Sequence, residues 1–176
     1  MTDAVVLPGG RYGPAAGMLL YASTVAERRG ATIHRHEWTG KPGWPLTPGT
    51  ADWAAAQITP LLDRRPLLIG KSLGVSAAGV AADRSLPAVW LTPLLTLPWV
   101  VDALERATAP FLLVGGTADT EWWSGGTAHR LTPHVLEIPN ADHGLLVPGP
   151  LTDSIAVLAR LVTAVENFLD AIRWPG

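Results

Sequence analysis

Apolar residues along this chain gather in short continuous runs, separated by longer stretches of helical period. The first run, residues 4–7, is closed by Pro8-Gly9-Gly10, and the stretch 14–28 that follows carries a helical pattern ending at Gly30. Residues 32–38 alternate and hold β-branched and aromatic side chains, which predicts a second strand. Residues 39–50 are crowded with proline and glycine and read as an irregular surface loop. A helix over 51–63, a buried strand over 66–69 and a helix over 72–83 come next. The same rhythm gives a strand at 88–91, a helix at 99–107, a strand at 111–114, a helix at 121–131, a strand at 134–138 and a last helix over 152–172.

A strand that faces solvent on one side alternates apolar and polar residues, whereas a continuously apolar one is covered on both sides. Such strands interleaved with helices predict an α/β fold: a doubly wound, mostly parallel six-stranded sheet with helices on both faces and right-handed crossovers. Ligands of these sheets bind beyond the carboxyl ends of the strands, so chemistry is expected in the residues just after each strand.

Composition narrows the picture. A chain of 176 residues fits one domain over 1–176, able to remove roughly 70% of its unfolded surface from water. With 48% hydrophobic and 16% charged residues it has the makings of a packed core. The formal charge of -2, without a run of like charges, argues against nucleic acid and anionic membrane surfaces as partners. No apolar stretch is long enough for a membrane span, and Met1-Thr2-Asp3 lacks the pattern of a signal peptide, so a cytoplasmic protein is expected. The lack of cysteine removes disulfides, thiolate metal sites and a thiol nucleophile.

Three places after strands carry candidate chemistry. Gly70-Lys71-Ser72-Leu73-Gly74 has the form G-x-S-x-G directly after an apolar strand and before a helix. The glycines are needed because a serine lifted on so sharp a turn leaves no room for flanking Cβ atoms. Asp119 follows the strand at 111–114 within Gly115-Gly116-Thr117-Ala118-Asp119, and His143 follows the next strand within Asn140-Ala141-Asp142-His143-Gly144. Asp119 could instead cap the helix at 121–131, but its place after a strand favours chemistry. Asp142 reads as a turn-former, Glu121 as a reserve acid, and Lys71 as a structural residue pointing away. His34 and His36 share a strand face without an evident third ligand, and His129 and His134 have no identifiable partner, so no metal and no cofactor are expected.

In the order Ser, Asp, His, and through Pro8-Gly9-Gly10, Gly116-Thr117-Ala118-Asp119 and Asp142-His143-Gly144, nearly the whole chain resembles the α/β-hydrolase superfamily. It is most similar to small, capless bacterial serine hydrolases of the esterase or dienelactone-hydrolase-like kind. The resemblance implies a minimal fold lacking the two N-terminal strands and a shallow cleft, because no insertion between Leu91 and Trp99 is long enough for a cap. It also implies a catalytic triad of Ser72, Asp119 and His143, with an oxyanion hole formed by the backbone N–H groups of Leu73 and of the Gly9–Arg11 loop, Gly10 foremost. Tyr12, Trp99 and Trp122, with Arg11 and Trp123, are candidates for contact with a small-molecule ester or thioester, packing being the alternative for each. An acyltransferase or lyase using the same triad, or a non-catalytic binding protein on the same fold, remain as alternative readings.

Overall fold

The computed structural model describes residues 2–40 and 42–175; Lys41 in the proline-rich loop and residues 1 and 176 at the ends lie outside the described residues. Six strands are found among the described residues: β1 (Thr2–Leu7), β2 (Ala31–Arg35), β3 (Leu67–Lys71), β4 (Ala88–Leu91), β5 (Phe111–Gly116) and β6 (Val135–Ile138). All pair in parallel, in the order β2-β1-β3-β4-β5-β6. The helices are α1 (Gly17–Arg28), α2 (Gly49–Ile58), α3 (Ala78–Asp83), α4 (Pro98–Glu105), α5 (Gly125–Leu131) and α6 (Leu151–Ala171).

The two sides of the sheet are covered by different helices, which explains the unbroken apolar runs. Ala4 and Val6 of β1, Leu67 and Ile69 of β3, and Leu112 and Val114 of β5 face a core beneath α1 and α6. Their neighbours Val5, Leu7, Leu68, Trp90 and Leu113 face a second core beneath α2, α3, α4 and α5. Each central strand thus buries both of its faces, and a polar residue on either would be left without water or a partner. None of the helices of the described residues is long and apolar enough to cross a membrane.

Several boundaries depart from the sequence pattern, each for a local reason. The segment predicted as one helix over 72–83 opens with a 3₁₀ stretch, Ser72–Ala77, and becomes α-helical only at Ala78. Helix α2 tightens into a 3₁₀ turn at Thr59–Leu61, where Pro60 lacks the N–H that would continue it. The helix predicted from Glu121 starts at Gly125, because the Ser124 hydroxyl caps it by accepting the Thr127 amide. Strand β2 ends at Arg35: the His36 amide still bonds to the Val6 carbonyl at 3.0 Å, then the chain turns and the Trp38 indole donates to the Pro8 carbonyl at 2.8 Å.

Strand order reverses beside β1, which sends its connections to β2 on one side and leaves β3 on the other. At such a switch point the loops diverge and open a crevice above the strand ends. The loop after β1, with Gly9 and Gly10, and the turn after β3, with Ser72, stand at its two sides.

Candidate active site

The turn after β3 is bent sharply enough that Ser72 sits at φ +49°, a region that a residue with a side chain enters only under strain. The flanking glycines permit it. A Cβ on Gly70 would lie 2.6 Å from the Trp90 ring, and one on Gly74 would lie 2.4 Å from the Leu7 carbonyl oxygen. The motif therefore packs the turn against both neighbouring strands.

From this turn the Ser72 hydroxyl lies 2.9 Å from Nε2 of His143, and Nδ1 of His143 lies 2.6 Å from Oδ2 of Asp119. A carboxylate only accepts, so Nδ1–H donates to Asp119, and Nε2 of the neutral ring is free to accept from Ser72. Asp119 is buried, while the imidazole is 33% exposed at the cleft. The aspartate is held by its own turn: its amide donates to the Gly116 carbonyl, and its carbonyl accepts from the Trp123 amide at 2.9 Å. Helix α5 has Ser124 as its cap, so Asp119 is not engaged in capping it.

The two loops that carry Asp119 and His143 are tied directly to each other. The Ala118 amide donates to the Ala141 carbonyl at 3.0 Å, and the Asn140 amide donates to the Thr117 hydroxyl at 2.8 Å. Gly116 allows this approach, since a Cβ there would stand 2.2 Å from the Ala141 oxygen. Asp142 forms the expected turn: its Oδ1 accepts the amides of Gly144 and Leu146 at 2.7 and 3.0 Å.

Gly9 and Gly10 arrive from the loop after β1. A Cβ on Gly9 would touch Ser72 Cβ at 3.6 Å, and one on Gly10 would touch the Leu73 side chain at 3.8 Å, so both glycines border the serine turn. The cleft above them has a volume of about 800 Å³, within the size range of small-molecule sites. The proline-rich segment contributes Trp44 and Leu46 to its wall. That segment is pinned at its start by Trp38, packed 4.8 Å from Trp53, and by Gln57, which accepts from the Thr39 amide and hydroxyl. Trp44 meets Trp122 edge to face at 6.0 Å, bringing the proline-rich segment against the turn after Asp119.

Tyr12, Arg11 and Trp122 line the cleft; Trp99 and Trp123 do not. Trp99, in the first turn of α4, packs against the core on that side of the sheet, and its Nε1 is buried without a hydrogen-bond partner among the described residues. Trp123 is buried against Gly115 and donates to Glu137 at 2.7 Å. Glu121 lines the cleft but is not the acid that meets His143. His34 bonds to Asp3 at 3.1 Å and His36 packs edge-on against Trp38, which separates their roles.

Lys71 corrects the sequence reading most. It is buried beside the cleft instead of pointing away, with Nζ 4.8 Å from the centre of the Tyr12 ring and donating to the His143 carbonyl at 3.4 Å. Loss of water lowers its pKa to about 8, against the pull of the Asp119 and Asp142 carboxylates. The G-x-S-x-G pattern gives no hint of this, since the residue before the serine is unrestricted in it.

No protein-family model matches the chain, and no curated protein matches it. Solved structures do. The fold is similar to that of Est1E from Butyrivibrio proteoclasticus, determined with ferulic acid bound, at TM-score 0.71 and 14% identity over 96% of this chain and 88% of that one. Dienelactone hydrolase from Anabaena variabilis matches at TM-score 0.64 and 17% identity, covering 97% of this chain and 86% of that one. A serine hydrolase without lid from Xanthomonas campestris matches at TM-score 0.61 and 15% identity, covering 100% and 85%. The chain has the α/β-hydrolase fold.

Proposed function

We propose that this protein is a single-domain serine hydrolase that cleaves a carboxylic ester or thioester of a small to medium acyl group. The observation that carries the reading is the hydrogen-bonded series Asp119, His143, Ser72, at 2.6 and 2.9 Å, ending on a strained serine at the floor of a cleft. Dienelactone hydrolase and serine hydrolase names among structures of the same fold support it.

In this reading His143 Nε2 takes the Ser72 proton as Oγ attacks the substrate carbonyl carbon. The negative charge that forms on the carbonyl oxygen is met by the backbone N–H groups of Leu73 and Gly10. As the tetrahedral intermediate collapses, the bond to the leaving oxygen or sulfur breaks, and that atom receives the proton from Nε2. Water then attacks the acyl-serine, giving its proton to His143, and the acid departs as Ser72 is restored. Asp119 keeps the imidazole in the tautomer whose Nε2 accepts, and offsets its charge when protonated.

The test is hydrolysis of a p-nitrophenyl ester series by wild type and by Asp119→Asn. An asparagine can fill the same space yet favours the wrong tautomer, so kcat is expected to fall by about 10⁴-fold with little change in KM. A variant with near wild-type turnover would remove Asp119 from the mechanism.

Trp122 lines the cleft as Tyr12 does, and aromatic contacts with a substrate ring contribute about 0.5–1.5 kcal/mol. Trp122→Ala should therefore raise KM for a naphthyl ester by about 3- to 10-fold. An unchanged KM would place the aromatic group elsewhere.

A further inference from the structure

A lysine directly before the serine is an expensive residue to bury. Its pKa of about 8 lies below the ordinary value of 10.5, so the folded chain holds the proton less tightly than the unfolded one. By linkage this group makes the fold more stable as pH rises from about 8 towards 10.5, and below that range the charged form is a cost. A methionine would fill the same space without it. A cost kept beside a reactive centre suggests a use.

The geometry points to that use. The Lys71 stem runs beneath Gly9, where a Cβ would lie 3.7 Å from its Cδ. Its ammonium meets the face of Tyr12, on the loop after β1, and the carbonyl of His143, on the loop after β6. Ser72 is the next residue in the chain. One side chain thus touches each of the three segments that must stay in register: the serine turn, the glycine loop and the histidine loop.

We propose that Lys71 is a positioning residue whose ammonium ties the His143 loop to the Tyr12 loop, so that Ser72, His143 and the Gly10 amide keep their reactive alignment only while the lysine is charged. This rests on the serine-hydrolase reading of the same site. The groups facing the ammonium are Tyr12 from the loop after β1, Asp119 from the loop after β5, and Asp142 and His143 from the loop after β6. Arg11, Glu37 and Glu121 line the wider cleft. The hydrogen bond at 3.4 Å is long, and attraction of the cation to the ring and to the two carboxylates is what draws it in. A neutral amine keeps its N–H donors but loses that attraction.

The rate at which a fluorophosphonate labels Ser72, followed from pH 6 to pH 10, tests this without knowledge of the substrate. In wild type the rate should fall as pH rises past about 8, although loss of the proton stabilises the fold over the same range. Lys71→Met should label about 10- to 100-fold more slowly at pH 7, as expected when reacting groups drift by a fraction of an ångström to one ångström, and should lack the falling limb. Tyr12 is 39% exposed, so Tyr12→Leu should fold, and it should move the falling limb down by up to about half a pH unit. Identical pH profiles in wild type and Lys71→Met, with Ser72 labelled in both, would overturn the tether and leave the hydrolase reading intact. A folded wild type that is not labelled would overturn the hydrolase reading itself and the tether with it.

Discussion

Replacing Ser72 with alanine should lower turnover of a p-nitrophenyl ester by about 10⁴-fold or more, because in the proposed mechanism proton transfer to His143 and the covalent intermediate disappear together. The fold should persist: alanine keeps the Cβ, so the turn at φ +49° keeps its strain and the packing of Gly70 and Gly74 is untouched. Ser72→Gly should lose as much activity yet raise the melting temperature, since a residue without a Cβ adopts positive φ freely and relieves about 1 kcal/mol or more of strain. The pair of variants separates the two roles of this position. A stable Ser72→Ala with substantial remaining turnover would mean that another group performs the attack.

Gly74→Ala should be among the most destabilising single-methyl additions available in this chain. Its new Cβ would stand 2.4 Å from the Leu7 oxygen and 3.0 Å from the Leu7 Cβ, so backbone, not a flexible side chain, has to yield. Overpacking of this sort costs about 1–3 kcal/mol and sometimes more, seen as a lower urea midpoint. Leu7 ends β1 and leads into Pro8-Gly9-Gly10, so the displacement should reach the proposed oxyanion donor and reduce activity as well. Gly79→Ala is the matched control. It lies in α3 with nothing within 4 Å of the added Cβ, and alanine is favoured there by about 0.5–1 kcal/mol. If Gly74→Ala proved no worse than Gly79→Ala, the close approach of the serine turn to β1 would be wrong.

Much of this was legible in the chain because the physics is local or periodic. Residues 4–7, 66–69 and 111–114 had to be strands covered on both sides, since each successive apolar residue enters a different core. That Ser72, Asp119 and His143 come together could be anticipated because each follows a strand, and parallel strands bring their ends to one edge of the sheet.

What escaped depends on contacts between distant segments. Trp99 and Trp122 both follow strand ends, look alike in sequence and pack, partly buried, against the same core, yet only Trp122, on the turn after Asp119, also lines the cleft. The wall that the proline-rich segment gives the cleft depends on Trp38, Trp53 and Gln57 pinning a loop that has no periodic pattern. Lys71 was misplaced because its environment is built by Tyr12, Asp119 and His143, from three separate loops.

The most direct test of the serine-hydrolase account is to treat the folded wild-type protein with a fluorophosphonate and map the modified peptide. The account predicts one label, on Ser72, slowed by about 10²-fold or more when His143 is replaced by alanine, because the serine loses its base. A folded protein that takes no label, or takes it at another residue, would contradict it.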